Sequence, residues 1–348
     1  MSAISADLQD LSTPKTWAIS FRCLFSLYSI IPCCIIVQLL DIFWWQGYLK
    51  HHLPSSPSHF LLFQILFGTP HIIASAIILA SNSDYRQRYR RPILLMTTLL
   101  ALVFGVGSLF IPYKALYIAT AAWTVFHVLK QQHGIVRGIS RLPAWAYYLL
   151  LWLSVMAGFF IYIGIFLKNS LEPQQVEWLT HIAGSLCVGL ICTALLCQRY
   201  INNRFGKWFM WANVFLVVSS FYFYNQQYYF LAILVPRLVH DVTAYIFYVT
   251  HDYNKHHART ENMIYRFATF CRVPIVLVLP FLSFSLAFLL QAYGDQLIEL
   301  LINEWFDVTI HKVITVGLLG YLALMHYFTE AFTWKHDSPY RQFIAFSK

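Results

Sequence analysis

Residues 145 to 167 read WAYYLLLWLSVMAGFFIYIGIFL, a stretch without one charged side chain, flanked by Arg141 and Lys168. As an α-helix at 1.5 Å rise per residue it is about 34 Å long, enough to cross the ~30 Å hydrocarbon core of a bilayer. The same character recurs along all 348 residues, of which 59% are hydrophobic, 18% aromatic and only 11% charged. Soluble domains carry roughly a quarter charged residues, so a soluble enzyme is excluded. The composition predicts an all-α fold: one polytopic integral-membrane helix bundle occupying 1–348 as a single domain. Lys and Arg number 24 against 15 Asp and Glu. They fall in short loops between apolar runs, which is membrane topology and not a nucleic-acid surface. Of the seven Cys, most stand inside apolar segments (Cys33, Cys34, Cys187, Cys192, Cys197), where a reduced thiol packs as a small hydrophobe. No disulfide or zinc framework is expected. Residues 1–16 contain two Asp and no basic run, which predicts a short cytoplasmic tail and not a signal peptide.

Ten windows bounded by charge or proline are candidates for transmembrane helices: 17–45, 59–80, 93–111, 116–135, 145–167, 178–197, 208–224, 228–250, 273–292 and 309–334. Pro70, Pro236 and Pro280 fall inside windows and predict kinks. The loops after the even windows collect Arg86, Arg88, Arg90 and Arg91, then Arg137 and Arg141, then Arg199, Arg204 and Lys207, then Lys255, Arg259, Arg266 and Arg272. The odd loops hold little beyond Lys50, Lys114, Lys168 and Lys312. Basic loops stay in the cytoplasm, so both termini are expected there, in a bacterial inner membrane. The segment 295–307 alternates Leu and Ile with acids at helical spacing, which predicts an interfacial helix before the last span.

Fourteen His are the second departure, because imidazole in hydrocarbon needs a partner or a task. Counted back from the cytoplasmic ends of the even windows, His71 lies about ten residues up, His127 about eight, His240 about eleven and His326 about eight, which places all four within ~5 Å of one depth. A second layer nearer the cytoplasm holds His133, Glu330 and His251, with His256 and His257 beyond it in a basic loop, where they are expected to be solvated. His326 and Glu330, four apart, share a helix face. His240 and His251 point the same way but stand ~16 Å apart along the axis, so one ion does not reach both without a bend. His127 and His133, six apart, face differently. His51, His52, His59, His181 and His311 belong to the opposite side.

Neutral imidazole suits iron, zinc, copper or manganese, and a carboxylate completes a mixed nitrogen and oxygen shell with positions left open. The expected metal set is His71, His127, His240 and His326, with His251 and His133 as further candidates. Glu330 and Asp241 are the candidate catalytic carboxylates. Glu330 is a fifth ligand or sits behind one. Asp241, pairing with Arg237 one turn before it, orients a ligand His through its other ring nitrogen. Non-haem iron is the expected cofactor, with another divalent transition metal as the alternative. The expected partners are the lipid bilayer, an apolar lipid-like substrate entering sideways from the leaflet, and an electron donor. Aromatics around the eighth window (Tyr224, Tyr228, Tyr229, Tyr245, Phe247, Tyr248) either form an interfacial belt or line a cavity. Two rivals stay open: a proton-coupled transporter using Arg237, Asp241 and Glu330, and a haem-binding electron carrier with paired axial His.

The segment Phe67-Gly-Thr-Pro-His71 resembles the Gly-x-Pro-His stretch of the Brp/Blh membrane carotenoid-cleaving dioxygenases. The likeness extends to an intramembrane His about two spans later, His127, and to a His-bearing helix in the second half, His240. In that family four His on separate helices hold one non-haem iron that activates oxygen to cleave a carotenoid. The resemblance therefore implies His71, His127 and His240 as iron ligands. This chain departs from the family's pattern in reading Ile72-Ile-Ala-Ser where the family continues to an Asp-His pair, and in lacking the family's close pair of late His. The expected function is a multi-pass non-haem iron oxygenase or hydroxylase acting on a lipid or isoprenoid from a His-rich site on the cytoplasmic side.

Overall fold

A computed structural model describes residues 16–257, 262–306, 317–335 and 338–347. Among the described residues the long helices are α1 (Phe21–Phe43), α2 (Leu61–Ser81), α3 (Ser83–Val106), α4 (Tyr113–Ser140), α5 (Ala144–Phe166), α6 (Pro173–Tyr200), α7 (Arg204–Asn225), α8 (Tyr229–His256), α9 (Ile275–Phe306) and α10 (Leu319–Thr333). Seven of them, α1, α2, α3, α5, α6, α8 and α9, are long and apolar enough to cross a membrane. The chain is an all-α integral membrane bundle.

Two expectations about boundaries change. The Arg86 to Arg91 cluster, expected in a loop, stands on the first turns of α3, because the chain turns at the single residue Asn82 between α2 and α3. The stretch 295–307, expected to be a separate interfacial helix, continues α9 to Phe306. No proline follows Pro280 there to stop the helix, and its acids extend an apolar span. Asp307 lies outside the described residues, as do residues 1–15 of the expected tail, residues 309–316 of the tenth window and His311.

Short loops make sequential helices antiparallel neighbours: α4 lies on α5, α5 on α6 and α7 on α8. At the centre stands α8, with 67% of its most apolar stretch buried, against 17% to 50% in the other six. It touches α1, α2, α4, α7 and α9. A proline inside so enclosed a helix leaves a carbonyl without its donor, since Pro236 has no N–H for the oxygen of Ala232. Ser220 on α7 supplies the replacement, its Oγ donating to that oxygen at 2.6 Å. In α2 a π-helical turn, Gln64–Gly68, precedes Pro70. The wider turn relieves the clash of a proline ring with the preceding turn of the helix.

The chain ends meet. Strand β1 (Ala18–Ser20) pairs in parallel with β2 (Ala345–Ser347), Ala18 opposite Ala345. Asn254, near the end of α8, fixes both: its Oδ1 accepts from Trp17 N at 2.8 Å, and its Nδ2 donates to the carbonyls of Trp17 and Phe343, each at 2.9 Å.

Candidate metal centre

His71 follows Pro70 on α2 and is buried. Its Nδ1 lies 3.1 Å from the carbonyl oxygen of Phe67. A carbonyl only accepts, so Nδ1 carries the hydrogen and Nε2 presents a lone pair. His326 on α10 reaches the same state by another route. The hydroxyl of Tyr248 on α8 donates to Glu330 Oε1. Its oxygen is therefore left to accept the Nδ1–H of His326, 3.2 Å away, and Nε2 is again the free nitrogen. Partners of this kind fix the tautomer and ring orientation of metal-binding imidazoles.

The four imidazoles expected at one depth close into a ring. Passing from His71 to His240, His127, His326 and back to His71, the centroids stand 5.6, 4.8, 5.1 and 5.0 Å apart, with interplanar angles from 71° to 89°. All four are buried, as are Asp241 and Glu330. Nε2 of His127, both ring nitrogens of His240 and Nε2 of His326 have no hydrogen-bond partner among the described residues. A buried polar atom left unsatisfied costs about 1–3 kcal/mol, so a cluster of them calls for a ligand that satisfies them together.

The carboxylates sharpen the point. Asp241 Oδ1 is 3.6 Å from His71 Nε2, Glu330 Oε2 is 3.4 Å from His127 Nε2, and Glu330 Oε1 is 3.9 Å from His326 Nε2. At His71 and His326, where Nε2 carries a lone pair, a lone pair facing a carboxylate oxygen repels it, and a cation between them reverses the sign. Two triads have their ligand atoms within 4.8 Å of one another: His71, His240 and His326, and His127, His326 and Glu330. Metal–nitrogen bonds of about 2.0–2.1 Å put tetrahedral neighbours about 3.4 Å apart, so closure asks for roughly 1 Å of side-chain movement. The donor set fits a divalent transition metal.

Asp241 keeps its charge partner, Arg237 Nε, 3.5 Å from Oδ2. The same guanidinium donates to Ser58 Oγ and, at 3.4 Å, to Gln64 Oε1. Gly68 makes room for this: a Cβ there would strike the Gln64 side chain and lie 3.0 Å from Arg237 Nη2. So the glycine of Phe67-Gly-Thr-Pro-His71 admits the arginine, and the histidine of the same stretch faces the aspartate that the arginine holds.

Two expected ligands stand elsewhere. His133 turns to α5, with Nε2 2.9 Å from Ser154 Oγ. His251 binds the Tyr85 hydroxyl at 2.9 Å and stacks on Tyr340 at 3.8 Å and 7°. His256, expected to be solvated, is buried at the end of α8, its Nε2 3.1 Å from Asn82 Oδ1 and its ring on Tyr265 at 3.8 Å. His181 lies away from the cluster with a 77% exposed side chain beside Glu177. The sequence reading missed Tyr248 as a partner of Glu330. That bond joins α8 to α10, so no spacing within either helix signals it.

A cavity of about 420 Å³ reaches His127 and Glu330, walled by Trp123, Phe126, Tyr327 and Trp334 among others. A second, of about 310 Å³, reaches His326 between α2 and α10.

Compared with protein-family models, with curated proteins and with solved structures, the chain finds no match in any of the three.

Proposed function

We propose that the chain is a metal-dependent oxidoreductase of the membrane, with non-haem iron held by His71, His127, His240 and His326, acting as an oxygenase or hydroxylase on a lipid or isoprenoid. The observation that carries this is the closed ring of four buried imidazoles whose free nitrogens face one another and two carboxylates. Iron in that place supplies redox chemistry with oxygen as co-substrate. The residues do the rest. Tyr248 and the Phe67 carbonyl hold two rings in the tautomer that ligates, Arg237 pairs with Asp241 in an apolar interior, and the packed helices exclude water. The aromatic cavity beside His127 suits an apolar chain.

The likeness of Phe67-Gly-Thr-Pro-His71 to the Brp/Blh stretch supports the same reading, since His71, His127 and His240 are three of the four in the ring. The ring also disfavours haem: two axial His would leave the other two, with centroids within 4.8 to 5.6 Å of them, in the plane of the porphyrin. We place the centre nearer the cytoplasmic face of an inner membrane, with ten crossings and both termini inside; the basic loops support the sidedness, and the paired ends support an even count.

Elemental analysis of detergent-purified protein tests the reading. About one iron per chain is expected in wild type, lost in His240→Ala and in His127→Gln, and kept in His181→Ala. Circular dichroism of each variant reports whether the bundle has folded. Wild-type protein without any transition metal, after expression in iron-replete medium, overturns the proposal.

A further inference from the structure

The cavity beside His127 is elongated and its two ends differ in chemistry. Along α4 it is lined by His127, Lys130, Gln131, Gly134, Ile135 and Gly138. Eleven residues of helix separate the first from the last, about 16 Å at 1.5 Å per residue. At the inner end stand His127 and Glu330, both buried, with the unpartnered Nε2 of His127. At the other end, where α1 begins and α4 and α10 finish, the lining passes to Phe21, Phe346 and Arg341.

Glycines open the middle. A Cβ at Gly134 or at Gly138 meets nothing within 4 Å. Both are exposed and border the open side of the cavity, one turn apart on the wall that leads to His127.

The charged side chains divide between the two ends, and Arg341 alone stands at the outer one. Arg341 lies with its guanidinium carbon 4.8 Å from the centroid of Phe346, itself part of the lining. Its Nη1 donates to the Ile344 carbonyl at 2.6 Å, which fixes the fork. It has no carboxylate partner among the described residues, and half-burial pulls its pKa below the ordinary value. Lys130 stands at the inner end, one turn from His127, with its Nζ 5.2 Å from the centroid of Phe126. Glu330 is the acid of this lining, and it faces His127 at that same inner end. A half-buried guanidinium at one end of an apolar groove is the complement of an anionic head on an apolar chain.

We propose that this cavity binds a single-chain anionic amphiphile, a long-chain carboxylate or an isoprenoid phosphate, head on Arg341, chain laid past Gly138 and Gly134 toward His127. The inference rests on the oxidoreductase reading for its meaning, since it makes the amphiphile the substrate and puts the attacked carbon remote from the head. It does not need that reading for its test.

The test is equilibrium binding to purified full-length protein in nanodiscs of uncharged lipid, with protein-free discs subtracted. Three labelled probes of similar chain length are used: oleate, a polyprenyl monophosphate and oleyl alcohol. One saturable site is expected for an anionic probe, and the tighter of the two identifies the head. Arg341→Gln weakens that probe about tenfold and leaves the alcohol unchanged. Gly138→Leu, which puts a side chain into the groove without touching the metal cluster, abolishes saturable binding while iron content stays at the wild-type level. Gly134→Leu does the same if Gly138→Leu proves unstable. Equal affinity for alcohol and anions, unmoved by Arg341→Gln, overturns the proposal, as does anionic binding that survives both glycine substitutions, which would place the amphiphile on the lipid-facing surface. Iron measured on the same samples separates the two readings: amphiphile bound without iron removes the oxidoreductase and keeps the amphiphile groove, and iron bound without amphiphile does the reverse.

Discussion

At the residue scale the centre is decided by which nitrogen of each imidazole is free. Tyr248 matters because it settles this for His326 while donating to Glu330, so one hydroxyl orients a nitrogen ligand and a carboxylate together. Tyr248→Phe removes both bonds and adds no bulk. Loss of such a supporting contact typically costs ten- to a hundredfold in metal affinity, and that is the expected result from competition with a chromophoric chelator, with helicity unchanged. His133→Ala separates stability from metal binding. It strands Ser154 in the interior and should lower stability by about 1–3 kcal/mol while iron content holds. His251→Ala should likewise keep its iron. If either loses iron as His240→Ala does, the cluster has been drawn around the wrong side chains. The four-His layer was legible because helix rise converts sequence distance into depth. What depth omits is azimuth: His133 is six residues past His127 and looks at α5. The bond from Tyr248 to Glu330 crosses between helices, and no spacing within one helix reveals it.

At the element scale two of the four helices carrying the site are irregular beside their ligand. Both α2 and α8 contain a proline close to their ligand, Pro70 beside His71 and Pro236 one turn before His240. The sequence announced the prolines and not their repair, which lies on a different helix. Ser220 takes the Ala232 carbonyl that Pro236 abandons, and a double-mutant cycle isolates that role. Ser220→Ala alone should cost about 1 kcal/mol in reversible unfolding from detergent. In a Pro236→Ala background the helix regains the missing N–H, and the same change should cost close to nothing. Equal costs in both backgrounds would mean that Ser220 acts through packing. Helix ends were the weaker part of the reading for a related reason. Apolar windows mark what lipid requires, whereas hydrogen bonds continue a helix wherever no residue stops it, as in the Arg-rich start of α3 and the acidic end of α9.

At the scale of the whole molecule the pairing of β1 with β2 constrains the topology. Residues 18–20 and 345–347 lie side by side, so the chain crosses the membrane an even number of times between them. Seven helices satisfy length and hydropathy, and seven is odd. The proposed ten-span topology has α4, α7 and α10 cross as well, which an even count and the basic loops support. Single cysteines in a variant freed of its seven native ones decide this, because three comparisons each isolate one helix. Gln87→Cys and Asn202→Cys are separated by α3, α4, α5 and α6, and fall on one side only if α4 crosses with the other three. Asn202→Cys and Met263→Cys are separated by α7 and α8, and share a side only if α7 crosses. Met263→Cys and a C-terminal tag, separated by α9 and α10, report on α10. In intact cells an impermeant maleimide should label Asn169→Cys and leave Gln87→Cys, Asn202→Cys and Met263→Cys unlabelled until the membrane is opened. Labelling of Asn202→Cys from outside with Gln87→Cys protected would remove α4 from the spans. The site depends on the outcome, since α4 and α10 carry His127 and His326. The ring of four imidazoles sits at one depth only if those polar helices cross the membrane alongside α2 and α8, and their polarity is then the mark of the cavity and ligands they enclose.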